Sequence, residues 1–144
     1  MAKILVVEDN AMNMTLSIYL LQTAGHTVLT ATDAETGVRI ARADQPDLIL
    51  MDILLPDMDG LQATILLKKD EKTRAIPVIA LTGLAEAGDE ERIRAAGCDG
   101  YIAKPLAYKD FLAKIATQLL SASPKGNPTA FDALARIIEP GSTQ

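Results

Sequence analysis

The sequence predicts an α/β fold, a parallel sheet of five strands covered by helices on both faces. Three observations lead there. Short β-prone runs alternate with longer amphipathic ones along the chain. The short runs are almost continuously apolar, as strands buried on both faces must be. Glycine- and proline-bearing breaks fall between the two kinds of segment. Five repeats of strand then helix, joined by right-handed crossovers, satisfy all three.

The first strand is KILVV, residues 3–7, followed by a helix from about Met12 to Ala24. Asn10 is placed to cap that helix, because a short polar side chain accepts an otherwise unpaired backbone N–H. HTVLTA, residues 26–31, follows Gly25 as the second strand, and Asp33 is placed to cap a helix from about Ala34 to Ala43. Pro46 precedes the third strand, DLILMD at 47–52, and the Pro56 to Gly60 turn separates it from a helix over about Leu61 to Lys69. PVIALT at 77–82, a helix from about Ala87 to Ala96 closed by Gly97, GYIAK at 100–104 and a helix from about Tyr108 to Leu120 complete the pattern.

Beyond Leu120 the texture changes. SASPKGNPTA reads as a connector, and FDALARII carries Phe131, Leu134, Ile137 and Ile138 at helical spacing before the stop signal EPG. The chain therefore divides into a folded domain over 1–121 and a linker with a short amphipathic helical tail over 122–144. A helix of roughly ten residues is marginal alone. It needs a surface on its own domain, on a second subunit or on a following segment, or it stays frayed.

With 144 residues the chain has the length of one domain, enough to bury roughly two-thirds of its extended-chain surface. Its one cysteine, Cys98, cannot form an internal disulfide and reads as a small buried hydrophobe, since no histidine or partner cysteine lies near it in sequence. A secretory start is absent, as is an apolar run of about 18 residues, so the expected compartment is the cytoplasm, without membrane attachment. The net charge of -5 and the lack of a basic block argue against direct nucleic-acid binding, which rests on phosphate neutralisation. Without tryptophan, and with few other aromatics, a base-stacking platform is equally disfavoured.

Sites in open α/β sheets form beyond the carboxyl ends of the strands. Glu8 and Asp9 stand after the first strand, Asp52 ends the third, Thr82 ends the fourth, and Lys104 with Pro105 follow the fifth. The second offers only Ala31 and Thr32, as an outer strand would. Alone, Asp52 would suit a turn, Thr82 a strand and Lys104 a wet surface. Their shared edge changes that reading. If Asp9 and Asp52 are neighbours, their repulsion requires a hard divalent cation, Lys104 or raised pKa values. Magnesium suits the first option, because it takes oxygen ligands and keeps waters that phosphate oxygens can replace. Such a site has the parts to accept a phosphoryl group, with Asp52 as nucleophile, Asp9 as metal ligand, Lys104 spreading charge and Thr82 donating to the phosphoryl oxygen on arrival.

LVVEDN, LILMDILLPDMDG, VIALTG and YIAKP together resemble the receiver domains of bacterial two-component response regulators, over about residues 2–121. EDNAMN and the lack of a recognisable effector domain look like stand-alone receivers of the cell-cycle type, or receivers attached to hybrid kinases. The resemblance implies a flavodoxin-like doubly wound sheet of order 2-1-3-4-5. It also implies that Asp52 takes phosphate from a histidine kinase or histidine phosphotransfer protein. Asp9, Asp52 and the Leu54 backbone carbonyl would hold Mg2+, with Glu8 acting through a metal-bound water. Thr82 and Tyr101 would be the switch pair, Lys104 would contact the phosphoryl group, and the Lys104 to Pro105 bond would be cis.

Thr82 moving toward the phosphoryl group would let Tyr101 turn inward, changing the face built by the fourth helix, fifth strand and fifth helix. Tyr101 also fits an ordinary half-buried strand aromatic with a wet hydroxyl. The audience of that face is a downstream effector, a kinase or a second copy of the chain. Glu8 replaces the aspartate of many relatives, and Leu54 and Leu84 replace polar groups that could orient an attacking water, so a long-lived phosphorylated state is expected. A phosphorylation-independent adaptor and an aspartyl-phosphate phosphohydrolase are the competing functions; the second lacks a nearby acid after Asp52 in MDILL. Neither GxGxxG nor a P-loop follows the first strand, which disfavours a dinucleotide enzyme.

Overall fold

The computed structural model describes residues 2–83, 89–104 and 106–121. Its elements run β1 (Lys3–Val7), α1 (Ala11–Thr23), β2 (Thr27–Ala31), α2 (Ala34–Asp44), β3 (Leu48–Asp52), α3 (Gly60–Lys69), β4 (Val78–Thr82), α4 (Asp89–Ala95), β5 (Gly100–Ala103) and α5 (Tyr108–Ser121). All four strand pairings are parallel, in the order β2-β1-β3-β4-β5, so the fold is flavodoxin-like. The five strands and five helices expected over residues 3–120 are present, with described ends displaced by a residue or two. The Lys104 to Pro105 bond, Leu84, the expected start of the fourth helix at Ala87 and the tail over 122–144 lie outside the described residues.

Alternation along the strands divides the core into two halves. Ile4, Val6, Leu48, Leu50, Ile79 and Leu81 face α1 and α5, where Leu20, Leu21, Phe111 and Ile115 meet them. Leu5, Val7, Ile49, Met51, Val78 and Ala80 face the other way, toward Ala41, Leu67 and Ile93 of α2, α3 and α4. Every residue of β3 and β4 is buried, whereas the edge strands β2 and β5 expose part of theirs. This explains why the central runs read as apolar throughout. Truncating a fully buried Leu50 to alanine is worth about 2–5 kcal/mol.

Capping follows the expectation. Asn10 Oδ1 accepts the Asn13 N–H at 2.9 Å, and Asp33 Oδ1 accepts the Thr36 N–H at 2.7 Å. The helix α2 lies so close to β1 that a Cβ on Gly37 would stand 2.7 Å from Val7 Cγ2. That contact fixes the N-terminal part of α2 against the strand that carries Glu8 and Asp9.

Candidate functional site

The parallel register brings the ends of β1, β3, β4 and β5 to one edge of the sheet. Glu8 continues the ladder past β1, its N–H donating to the Ala31 carbonyl at 3.0 Å, and its side chain is fully buried. Asp9, the next residue, is exposed. Asp52 ends β3 and is 4% exposed, and Thr82 ends β4, also buried. Lys104 follows β5, held by its N–H to the Thr82 carbonyl at 2.7 Å.

Lys104 bridges two buried acids. Its Nζ lies 3.1 Å from Glu8 Oε1 and 3.2 Å from Asp52 Oδ1. Glu8 Oε2 accepts from the same ammonium and from the Asn10 N–H, both at 3.3 Å. Glu8 Oε1, in contrast, has the ion-pair contact but no aligned hydrogen bond, which leaves a buried acceptor unsatisfied. Burial, reinforced by the neighbouring Asp52 carboxylate, pushes the Glu8 carboxyl up from 4.5 to about 7, with Lys104 opposing the shift. One lysine does not offset this concentration of acid.

Glu8, Asp9 and Asp52 each present a carboxylate oxygen, all within 4.8 Å of one another. An all-oxygen donor set with an unsatisfied buried lone pair on Glu8 fits a hard divalent cation of the magnesium type. Leu54, whose carbonyl the resemblance to receiver domains would add to that set, donates its N–H to Asp52 Oδ1 at 3.3 Å, and its side chain is exposed. The turn behind Asp52 depends on Gly60, where a Cβ would collide with the Asp52 carbonyl oxygen.

Tyr101 sits on β5 at the sheet edge and is 37% exposed, with Lys114 Nζ 5.6 Å from the ring centroid. Its ring is therefore partly open to solvent at this edge. Cys98, which the sequence presents as a small buried hydrophobe, and His26 both stay away from the charged cluster. The Cys98 thiol is buried, 3.8 Å from Thr64 Oγ1, and burial pushes its pKa up. His26 Nδ1 accepts the Ala2 N–H at 3.1 Å, at the start of the strands.

One contact escaped sequence reasoning. Asp57, in the loop between β3 and α3, accepts the Ala34 N–H at 2.9 Å and the Glu35 N–H at 3.0 Å. A cap search confined to a few residues cannot find it, because the helix it caps begins 23 residues upstream.

Comparison with known proteins agrees with this geometry. Residues 4–116 match the family model of the response regulator receiver domain. The polar-differentiation response regulator DivK of Brucella ovis is 45% identical over 116 residues, covering 81% of this chain and 94% of that protein. The receiver domain of the sensor histidine kinase PA1611 from Pseudomonas aeruginosa PAO1, solved with a magnesium ion coordinated in its active site cleft, superposes with a TM-score of 0.78. It is 37% identical, over 83% of this chain and 98% of its own. The chemotaxis protein CheY4 of Vibrio cholerae is 26% identical with a TM-score of 0.77, over 81% of this chain and 98% of its own. The chain thus belongs to the receiver domains of two-component response regulators, phosphoacceptor signalling switches that do not turn over external substrates.

Proposed function

We propose that Asp52 takes a phosphoryl group from the phosphohistidine of a histidine kinase or histidine phosphotransfer protein, and that the modified chain then engages a downstream protein effector or kinase. The observation that carries this reading is the Lys104 bridge between Glu8 and Asp52 within a triad of carboxylates. An Asp52 carboxylate oxygen attacks phosphorus, the P–N bond breaks, and the imidazole leaves with the electron pair. Lys104 is close enough to exchange its contact with Asp52 for one with a phosphoryl oxygen. Thr82 donates its hydroxyl to another.

Mg2+ is the cofactor this reading calls for: Asp9, Asp52 and the Leu54 carbonyl would hold it, with Glu8 acting through a bound water, and it would supply positive charge to offset that of the transferring oxygens. The PA1611 receiver, with its coordinated magnesium, supports that assignment by likeness.

The output rests on Thr82 and Tyr101. If Tyr101 turns inward after phosphorylation, it alters a groove of about 600 Å³ lined by Ile93, Arg94, Tyr101, Lys114 and Gln118, between α4 and α5. Shifting such a switch from 1:99 to 99:1 takes about 5.5 kcal/mol of differential stabilisation, within reach of several charge-assisted contacts. A homodimer through this face is the other output consistent with it. The proposal includes no direct nucleic-acid contact and no membrane attachment; no helix among the described residues is long and apolar enough to cross a membrane. A cytoplasmic setting suits phosphohistidine donors, and the division into a receiver over 1–121 and an appended segment over 122–144 belongs to the same proposal. The apolar Leu54 and Leu84 favour slow loss of the phosphoryl group.

Intact-protein mass spectrometry after incubation with acetyl phosphate, with and without magnesium, tests the chemistry. One magnesium-dependent phosphoryl adduct, lost in Asp52→Ala, is expected. No adduct under conditions that modify a control receiver overturns the proposal in favour of a phosphorylation-independent adaptor.

A further inference from the structure

The loop between β3 and α3 supplies Leu54, and it is tied down at both ends by its own neighbours. Leu54 N–H meets Asp52 Oδ1 at 3.3 Å, and Gly60 N–H meets the Ile53 carbonyl at 2.8 Å. Asp57 adds a tie of another kind, because its partners lie on a different βα unit. The Oδ1 and Oδ2 atoms accept from Ala34 and Glu35, the first amides of α2, which have no acceptor within the helix. Asp33 already satisfies Thr36, so the two acids divide the open end of the helix between them. The negative carboxylate also faces the positive end of the helix dipole. These amides hold the Asp57 carboxyl below its ordinary pKa, so the bridge stays charged.

The helix is itself seated on β1 through Gly37 and Val7. A continuous path therefore runs from Val7, the residue before Glu8 and Asp9, through Gly37 and the start of α2 to Asp57 and the loop that presents Leu54. The outer unit, which supplies no side chain to the cluster, braces both halves of it.

Resting on the function proposed above, we propose that Asp57 is a positioning residue for the cation site: its two-oxygen bridge to α2 fixes the loop from which Leu54 presents its carbonyl relative to Glu8 and Asp9. Without the bridge, the loop must be ordered when the cation binds, and that cost falls on affinity. Asp57 touches neither the cation nor the phosphoryl group.

Three full-length variants separate positioning from simple helix capping: Asp57→Ala, Asp57→Asn and Asp33→Ala. Magnesium affinity is read by titration calorimetry, and amide hydrogen exchange over residues 53–59 is read in the metal-free protein. Asp57→Ala is expected to weaken magnesium about tenfold and to speed exchange in the loop. Asp57→Asn, which keeps one acceptor oxygen, recovers part of both. Asp33→Ala removes a cap from the same helix and lowers its stability, yet leaves magnesium affinity unchanged. Wild-type affinity in Asp57→Ala, or equal weakening in Asp33→Ala, overturns the proposal while leaving the site intact. A wild-type protein that binds no magnesium overturns the cation site and the proposal with it. If Asp57→Ala does not fold, Asp57→Asn decides: severalfold weakening supports positioning, and unchanged affinity overturns it.

Discussion

The two edges of the sheet use the same residue types in opposite ways. At the amino-terminal edge, Asp47 and Asp99 are exposed, and each exchanges hydrogen bonds with the first residue of a neighbouring strand. Lys3 N–H donates to Asp47 Oδ2 at 2.8 Å while Asp47 N–H donates to the Lys3 carbonyl at 2.7 Å. Val78 and Asp99 repeat the exchange at 2.8 Å in both directions, and Lys68 adds an ion pair to Asp99 at 3.1 Å. At the carboxyl edge, Glu8 and Asp52 are buried and share the single ammonium of Lys104. Matched acids extend strand ladders. Unmatched, desolvated acids store a demand for positive charge, which a cation or an incoming group with its counter-ion can meet.

The contrast breaks most visibly at Lys104. Lys104→Met is expected to slow phosphoryl uptake from acetyl phosphate by about two to three orders of magnitude, the usual loss for a charge-stabilising donor, read as the rate of adduct formation. Asp99→Ala should leave that rate unchanged.

Next comes the pH dependence of the metal-free protein. Folding raises the Glu8 pKa from 4.5 to about 7, so the folded state holds this proton more tightly than the unfolded chain. Its contribution is therefore most favourable below about 4.5, declines as pH rises toward 7, and the penalty, on the order of 3 kcal/mol, is complete above that. Urea unfolding of wild type and Glu8→Gln in the presence of a chelator should show a stability difference that grows in favour of Gln across this window. A difference independent of pH would place the titration elsewhere. Smallest is the amino-terminal edge, where Asp99→Ala should cost about 2 kcal/mol by urea unfolding, a charge-assisted hydrogen bond's worth, without changing magnesium affinity.

Much of this was legible in the sequence because its causes are local or periodic. Apolar runs announced β3 and β4, and the caps Asn10 and Asp33 bond within three residues of themselves. The rule that sites gather beyond strand ends was enough to bring Glu8, Asp9, Asp52, Thr82 and Lys104 to one edge. Which acid would be buried was not legible. Glu8 and Asp9 are adjacent, and only the ladder bond from Glu8 to Ala31 decides that the first turns inward while the second stays wet. Asp57 was hidden for a related reason, since the Pro56 to Gly60 stretch reads as a turn and its acceptor role depends on how α2 is seated on β1.

Lys104 and Glu8 are 96 residues apart in the chain, and this separation bears on how the molecule is made. Synthesis delivers Glu8, Asp9 and Asp52 long before the lysine that sits between two of them. Until β5 is added at the margin, the centre of the sheet carries its acids without that counter-charge, and long-range parallel pairing is already slow to form. The last strand to emerge therefore completes the electrostatics of the first, so a ribosome-bound chain that stops short of residue 104 has an acidic edge with no partner lysine.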